Sequence, residues 1–477
     1  MSLASELKRL GRHSLVYGIG GLVSRILAVL LLPLYTHYLT KADYGAIETL
    51  IALAAVLVIV LRAGISSAFF RFYFDAKTDA ERVIVVRTSF WFTMSMATAG
   101  LIAGLVLAAP IAHALNGMTP GLVRAAFVGL WAQMNYEQLT ALFRVEERSL
   151  QFALASLANV LITIGATVLL VAVWHKGAIG VLVGNFTGTL GVYAVLLVYR
   201  RYQLGLEFSR TLLRQMNRFG MPLVPAGLAL WAINFIDRLF LNTISGAGET
   251  GLYSIGVRIA SVIVFLFTAF RTAWPAFAYS IEDDRQAKRT YGFVLTYLVF
   301  LCCWLSVALG LLAPWIVRVL TTPQYYAGAR VVPLLCFAAT AYAAYTVMAI
   351  GIGRVRRTQF NWIITFAAAA LNIGLNIALI PPYGMIGAAI ATVAAYTLMF
   401  VLMTLNAQRL YPVPYQWRRV VTLVGVAVGL TVLGKLVHAS LPVALALAVA
   451  YPFLLLPLGF YLPAERARLR RLVLLAR

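Results

Sequence analysis

The sequence has few charged residues, and acidic ones are the scarcest. Only 12% of the 477 residues are charged, and Asp and Glu together number 16 against 39 Lys and Arg. Ordinary soluble domains contain about 25% charged residues. Hydrophobic residues make up 62% of the chain, more apolar surface than the interior of a soluble domain can bury. The composition therefore excludes a soluble protein.

Cysteine is also scarce. Cys302, Cys303 and Cys336 all lie within apolar runs, and neighbours in sequence such as the first two rarely form a disulfide. Their spacing fits no metal site. We therefore predict no disulfide framework and no bound metal.

Long apolar runs, in contrast, are abundant. Runs of about 20 residues, enough to cross ~30 Å of hydrocarbon, recur from His13 onward, and each must be helical because lipid offers the backbone no water. The predicted fold class is an all-α polytopic membrane protein with about 14 transmembrane helices. The predicted spans are 13–39, 44–69, 83–109, 120–142, 150–174, 177–199, 219–243, 250–278, 290–312, 328–351, 358–380, 384–406, 417–437 and 440–462.

The basic residues are unevenly distributed between the two sides of these spans. When residues at span edges are counted with the adjoining connection, 28 Lys and Arg lie on the side of both termini and 5 on the other side. This positive-inside bias predicts that both termini are cytoplasmic. It also explains the net charge of +23 without nucleic acid, so no nucleic-acid partner is predicted.

The longest connection on the predicted cytoplasmic side is 200–218. Its basic residues alternate with Leu204, Phe208, Leu212 and Met216, a pattern that predicts an amphipathic surface helix. We interpret this segment as the linker between two lobes.

The sequence on the two sides of this linker repeats at an offset of 206 to 210 residues. The matching segments are 44–47 with 250–253, the dipeptides 144–145 and 151–152 with 354–355 and 359–360, and 177–180 with 384–387. Six spans per copy give both copies the same orientation, as in transporters whose substrate path lies between parallel repeats. The predicted domains are an N-terminal lobe at 1–199, the linker at 200–218, a C-terminal lobe at 219–410, and a region at 411–477 with two further spans and a basic tail.

Four segments resemble polysaccharide exporters of the Wzx type, within the superfamily of multidrug, oligosaccharidyl-lipid and polysaccharide flippases. They are residues 17–21, 32–45, 250–254 and 384–391. The resemblance implies two six-helix bundles around a central cavity that rocks between inward- and outward-facing states. It implies an undecaprenyl-pyrophosphate-linked oligosaccharide as substrate and a location in the bacterial inner membrane. Expected partners are a polysaccharide polymerase and glycosyltransferases, and we expect a monomer.

Charged residues within the spans are the main functional candidates, because a charge in the membrane is costly and by default marks a pathway. Arginines suit a pyrophosphate, since guanidinium pairs bidentately with phosphate oxygens. The predicted substrate-binding residues are Arg25, Arg62, Arg238, Arg258, Asn234 and Trp231. The alternatives are structural: Asp237 pairs locally with Arg238, and Arg62 extends to the membrane interface.

Glu137 and Asp237 are the candidates for a coupling-ion site, for H⁺ or Na⁺. Two other functions stay open. A small-molecule antiporter of the same fold favours a cavity of carboxylates and aromatic residues, whereas the bias here is toward arginine. A membrane polymerase or ligase needs a large outer loop with catalytic residues, and every predicted outer connection is short. We therefore predict that the protein is not an enzyme and has no catalytic residues.

Overall fold

The computed structural model describes residues 31–116, 118–355 and 360–462. Within those ranges the chain is almost entirely helical and contains no strand, which confirms the all-α fold class. Every predicted span from the second to the fourteenth lies mostly in helix, although the second is interrupted at Ala63–Gly64 and the third at Leu107. Most of the first span lies outside the described residues.

Sixteen α-helices occur among the described residues, numbered here in chain order. They are α1 (Leu32–Tyr38), α2 (Lys41–Arg62), α3 (Ile65–Asp75), α4 (Asp79–Val106), α5 (Ala108–Ala114), α6 (Pro120–Val145), α7 (Ser149–Val168, continued by a π-helical turn at Leu169–Val173), α8 (Gly177–Tyr199), α9 (Arg210–Gly220), α10 (Val224–Ile244), α11 (Ala247–Ser280), α12 (Asp284–Leu320), α13 (Val332–Arg354), α14 (Asn361–Leu410), α15 (Trp417–Leu436) and α16 (Leu441–Leu454). Short 3₁₀ helices at Met221–Leu223 and Pro323–Arg330 join some of them.

Ten helices in the described part of the chain are long and apolar enough to cross a membrane. One of them, α14, contains two predicted spans. The spans meet at a bend in the backbone at Gly384, where φ is 53°. A positive φ is accessible to glycine at little cost. The bend also exposes the Met385 amide, which donates to a carboxylate oxygen of Glu249 at 3.0 Å.

Helix starts follow local sequence signals. Thr40 and Asp43 form a reciprocal capping box at the start of α2, and Thr78 and Glu81 form another at the start of α4. Each box pairs backbone N–H groups that a helix leaves without a partner at its first turn. These boxes fix where each span begins after a short connection.

The chain packs into two compact units. Among the described residues, the first unit contains 31–254 together with Thr321–Tyr325 and Asn376–Met385. The second contains Ile255–Leu320, the described part of 326–375, and 386–462. Helix α10 belongs to the first unit, where it packs against α2. The lobe boundaries predicted from the sequence repeat remain predictions.

The predicted amphipathic linker contains a shorter helix than expected. Helix α9 begins only at Arg210, after an N-cap at Ser209, and the preceding residues form turns. Leu204 and Met216 are buried, and Met216 packs with α3 and α4 in the apolar core of the first unit. The apolar side of the helix therefore faces protein.

Candidate functional site

Helix α2 carries a charged residue near each end, and each is paired with a charge on another helix. Glu48 and Arg62 are fourteen positions apart, about 21 Å along an α-helix. Glu48 pairs with Arg238 of α10, and Arg62 pairs with Glu137 of α6. The two groups of residues are called here the Arg238 cluster and the Arg62 pair.

The Arg238 cluster consists of Glu48, Asp237, Arg238 and Tyr253. Nε of Arg238 lies 3.6 Å from Oε2 of Glu48, and Nη1 lies 3.6 Å from Oδ1 of Asp237. The Tyr253 hydroxyl donates to the other oxygen of Asp237. Glu48, Asp237 and Arg238 are each less than 10% exposed. Three helices, α2, α10 and α11, therefore contribute to one buried charged network.

Burial makes this network costly to disrupt. A buried charge is tolerated when its remaining hydrogen-bonding groups are satisfied and an opposite charge is close. Arg238 also donates to the Asn234 carbonyl at 2.7 Å and stacks on the Phe235 ring, 5.1 Å from its centroid. Its own backbone N–H donates to Asp237 at 2.8 Å. The local Asp237–Arg238 pairing considered from the sequence is thus present, and Glu48 extends it to α2.

Trp231 and Asn234 share α10 with this cluster. The Trp231 indole N–H donates to the Ala52 carbonyl of α2 at 2.9 Å. The Asn234 side chain is exposed and donates to the Leu230 carbonyl of its own helix at 2.7 Å. Trp231 therefore helps to fix α10 against α2, one helical turn beyond Glu48.

Two glycines allow α2 and α11 to approach closely beside the cluster. A Cβ atom on Gly45 would overlap the Ala247 carbonyl, and one on Gly251 would overlap the Lys41 carbonyl. Both glycines belong to the segments, 44–47 and 250–253, that match in the sequence repeat. Neither this packing role of the two glycines nor the contribution of Tyr253 to the cluster was predicted from the sequence. The sequence signal for the close approach was the glycine that recurs in both segments.

The Arg62 pair is more open than the Arg238 cluster. Nη1 of Arg62 lies 2.8 Å from Oε2 of Glu137, with side-chain exposures of 15% and 37%. Arg62 also donates to the Met134 carbonyl at 3.3 Å, and Gln133 donates to Glu137 at 2.9 Å. A predicted substrate ligand and a predicted coupling residue therefore pair with each other.

The remaining predicted arginines are placed differently. Arg258 belongs to the second unit, where it is partly buried and its carbonyl accepts a hydrogen bond from Ser261 at 2.6 Å. Arg25 lies outside the described residues. Within the first unit, the structure thus brings together Asp237, Arg238 and Asn234, and it separately joins Arg62 to Glu137.

A protein-family model described as "Polysaccharide biosynthesis protein" matches residues 36–330, more than half of the chain. The chain belongs to this family. A curated relative, the uncharacterized membrane protein MJ1068 of Methanocaldococcus jannaschii, is 25% identical over 199 residues, which make up 41% of this chain. The match spans only 39% of that relative's own length.

Solved structures show the same fold. The lipid II flippase MurJ, in an inward closed conformation, matches with a TM-score of 0.75 at 14% identity, over 93% of this chain and 99% of its own. An inward-facing multidrug resistance MATE family transporter of the MOP superfamily matches with a TM-score of 0.62 at 14% identity, over 84% of this chain and 98% of its own. An outward-facing transporter of that family gives 0.59 at 15% identity, over 87% and 96%.

These matches confirm the resemblance to Wzx-type polysaccharide flippases. The protein is a multi-pass membrane protein with the fold of the MOP superfamily of transporters and flippases.

Proposed function

We propose that the protein moves a polyprenyl-pyrophosphate-linked oligosaccharide from the cytoplasmic to the periplasmic leaflet of the bacterial inner membrane, by alternating access, for cell-surface polysaccharide synthesis. The observation that carries the proposal is a polysaccharide-biosynthesis family match on a chain with a flippase fold. The bias of intramembrane charge toward arginine supports an anionic substrate.

The pairing in the first unit suggests different roles for the arginines. We assign Arg25 and Arg258 to direct contact with the pyrophosphate. Arg62, which is partly exposed and held by a single carboxylate, exchanges Glu137 for a phosphate oxygen when substrate enters. Arg238 is held by Glu48 and Asp237 and keeps α2, α10 and α11 together in one conformational state.

A coupling ion fits the same arrangement. Binding of H⁺ or Na⁺ to Glu137 or Asp237 weakens the attraction between that carboxylate and its arginine, because the carboxylate charge is neutralised. Ion binding would then favour the state in which the arginine is released, and substrate and ion would be linked through that shared arginine. Glu137 and Asp237 remain our candidates for this role.

A cation-coupled drug antiporter is the second candidate, because MATE transporters share the fold and two of the arginines here are paired with carboxylates. The two functions differ in substrate charge. A flippase needs arginine charge to hold a pyrophosphate, whereas an exporter of cationic drugs needs the carboxylates.

Complementation separates the two candidates. In a flippase-deficient strain that makes the cognate oligosaccharide, we expect the wild-type chain to restore surface polysaccharide. Arg258→Ala and Arg62→Ala should abolish or strongly reduce it at normal membrane abundance, with Lys substitutions rescuing only in part because the planar fork is lost. Arg418→Ala, at an exposed arginine of α15, is the matched control. Restored resistance to cationic drugs without polysaccharide export would contradict the flippase.

The orientation is part of the proposal. With both termini cytoplasmic, the linker at 200–218 lies inside the cell. A cysteine at Ser209, in a chain without its native cysteines, should resist an impermeant thiol reagent applied to intact cells. Labelling at that position would reverse the orientation.

A further inference from the structure

Helix α9 presents a row of arginines on its exposed side. Arg210, Arg214 and Arg218 recur every fourth residue, so they lie on the same side of the helix, and all three are exposed. The opposite side is used for packing, because Met216 is fully buried and Leu212 packs against the apolar core of the first unit. The arginines thus point away from the protein on a helix that is fixed in place.

Large apolar side chains are exposed in the turn segment just before this row. Tyr202 is 80% exposed, Leu206 is 86% exposed and Phe208 is 43% exposed. The segment follows α8, a membrane-spanning helix that ends at Tyr199. Aromatic and aliphatic side chains beside the end of a span are typical of the membrane–water interface.

Several contacts hold this segment against α4. Arg87 forms an ion pair with Glu207 at 2.6 Å and donates to the Gln203 carbonyl at 3.2 Å. The Trp91 indole N–H donates to the Gly205 carbonyl at 3.1 Å. Glu207 is the one acidic residue between positions 200 and 220, and its charge is compensated by Arg87. Glu207 is 66% exposed but paired, so the exposed arginines at 210, 214 and 218 leave this surface with a net positive charge.

We propose that this surface, formed by Arg210, Arg214 and Arg218 with Tyr202, Leu206 and Phe208, binds the headgroups of anionic phospholipids in the adjacent leaflet. Guanidinium groups pair bidentately with lipid phosphate, and an anionic leaflet attracts basic segments beside a span. The exposed apolar side chains favour a membrane over a soluble acidic partner, because they insert among the headgroups at the same depth. The apolar side of α9 stays on the protein, so this is a contact through arginines and a neighbouring loop.

The test uses the purified full-length chain and does not depend on transport. Wild type and the triple variant Arg210→Gln, Arg214→Gln, Arg218→Gln are reconstituted in nanodiscs of phosphatidylcholine with and without phosphatidylglycerol. Lipid co-purifying after mild detergent extraction is then quantified by mass spectrometry. A second triple variant, Arg285→Gln, Arg289→Gln, Arg409→Gln, removes the same charge from exposed arginines of the second unit.

We expect wild type to retain phosphatidylglycerol in preference to phosphatidylcholine. The α9 variant should retain it roughly tenfold less, and high salt should reduce wild-type retention. The second-unit variant should retain it as wild type does. Leu206→Ser should lower retention less than the arginine variant. Thermal unfolding of each variant checks that it is folded, as expected for exposed positions.

Equal phosphatidylglycerol retention by wild type and the α9 variant would overturn the proposal, and so would an equal loss in the second-unit variant. Unchanged lipid retention with a loss of export in cells would assign the surface to an acidic partner protein instead. Failure of the flippase proposal leaves these lipid measurements unaffected, so the two proposals fail separately.

Discussion

The Arg238 cluster and the Arg62 pair use the same two residue types on the same helix and differ in their surroundings. Both join α2 to another helix through a Glu–Arg pair. In the Arg238 cluster the side chains of Arg238 and Glu48 are 7% and 11% exposed, and Arg238 lies against two carboxylates. In the Arg62 pair the side chains of Arg62 and Glu137 are 15% and 37% exposed. A Glu–Arg ion pair between helices is therefore buried in the Arg238 cluster and partly accessible in the Arg62 pair.

The difference follows from which parts of the sequence each group connects. Helix α2 belongs to the first copy of the sequence repeat, and α10 and α11 belong to the second, so the Arg238 cluster joins the two copies within the first unit. The Arg62 pair joins α2 and α6, both in the first copy. In the proposed alternating access the two copies move relative to each other, so contacts that join the copies must break. We therefore expect the Arg238 cluster to control a conformational equilibrium and the Arg62 pair to respond to ligands.

The largest effect should come from Arg238→Gln. The substitution leaves Glu48 and Asp237 buried without the charge of Arg238, and removing one partner of a buried ion pair costs about 3–5 kcal/mol. We expect a markedly lower unfolding temperature in detergent and loss of export. Adding Glu48→Gln should recover part of the stability, because one of the two carboxylates is then neutral. An unchanged unfolding temperature in the single variant would show that the cluster does not stabilise the packing of α2, α10 and α11.

A smaller but clear effect is expected from Gly45→Ala. The new Cβ would overlap the Ala247 carbonyl and force α2 and α11 apart beside the cluster. We expect reduced export and a moderately lower unfolding temperature. Gly191→Ala in α8 is the matched control, since nothing lies within 4 Å of its added Cβ. If both variants export equally well, the close approach of α2 and α11 has no role in transport.

Glu137→Gln should have the smallest effect on stability. Partly exposed ion pairs contribute about 1 kcal/mol or less, so the unfolding temperature should change little. If Glu137 is a coupling site, the dependence of transport on pH or Na⁺ should change more than substrate affinity does. The measurement is initial transport rate against ion gradient, with Glu147→Gln, at an exposed position outside the pair, as control. An unaltered ion dependence would remove Glu137 from the coupling candidates.

Much of the fold follows from the sequence because lipid imposes a simple rule. Apolar runs of sufficient length must be helices, so each predicted span from the second onward lies mostly in helix, whereas α9 lies in the predicted linker. Two predicted spans lie in α14 on either side of Gly384, where the backbone leaves the helical conformation and bends. The superposition of the two repeats by a rotation about the membrane normal remains a prediction.

The partners of the charged residues were harder to predict. Helical periodicity places Glu48 and Arg62, fourteen residues apart, on one face of α2, but it does not show that Glu48 pairs with α10 and Arg62 with α6. The arginines at matching positions of the repeat, Arg144 and Arg354, also have contacts that the sequence does not predict. Arg144 stacks over Phe70 and Phe152 in the first unit, whereas Arg354 in the second donates to the carbonyls of Ala278 and Ile281. Equivalent positions kept the residue and changed its contacts.

The proposed substrate is an anionic lipid-linked oligosaccharide. The most direct test of this proposal is translocation of a fluorescent polyprenyl-pyrophosphate oligosaccharide in proteoliposomes containing the purified chain. The fluorophore is attached to the headgroup. When the labelled lipid reaches the outer leaflet, a membrane-impermeant reductant quenches its fluorescence. We predict translocation by wild type and by Arg418→Ala, with rates reduced at least tenfold by Arg258→Ala. Translocation no faster than in protein-free vesicles, together with uptake of a cationic drug driven by an ion gradient, would contradict the account.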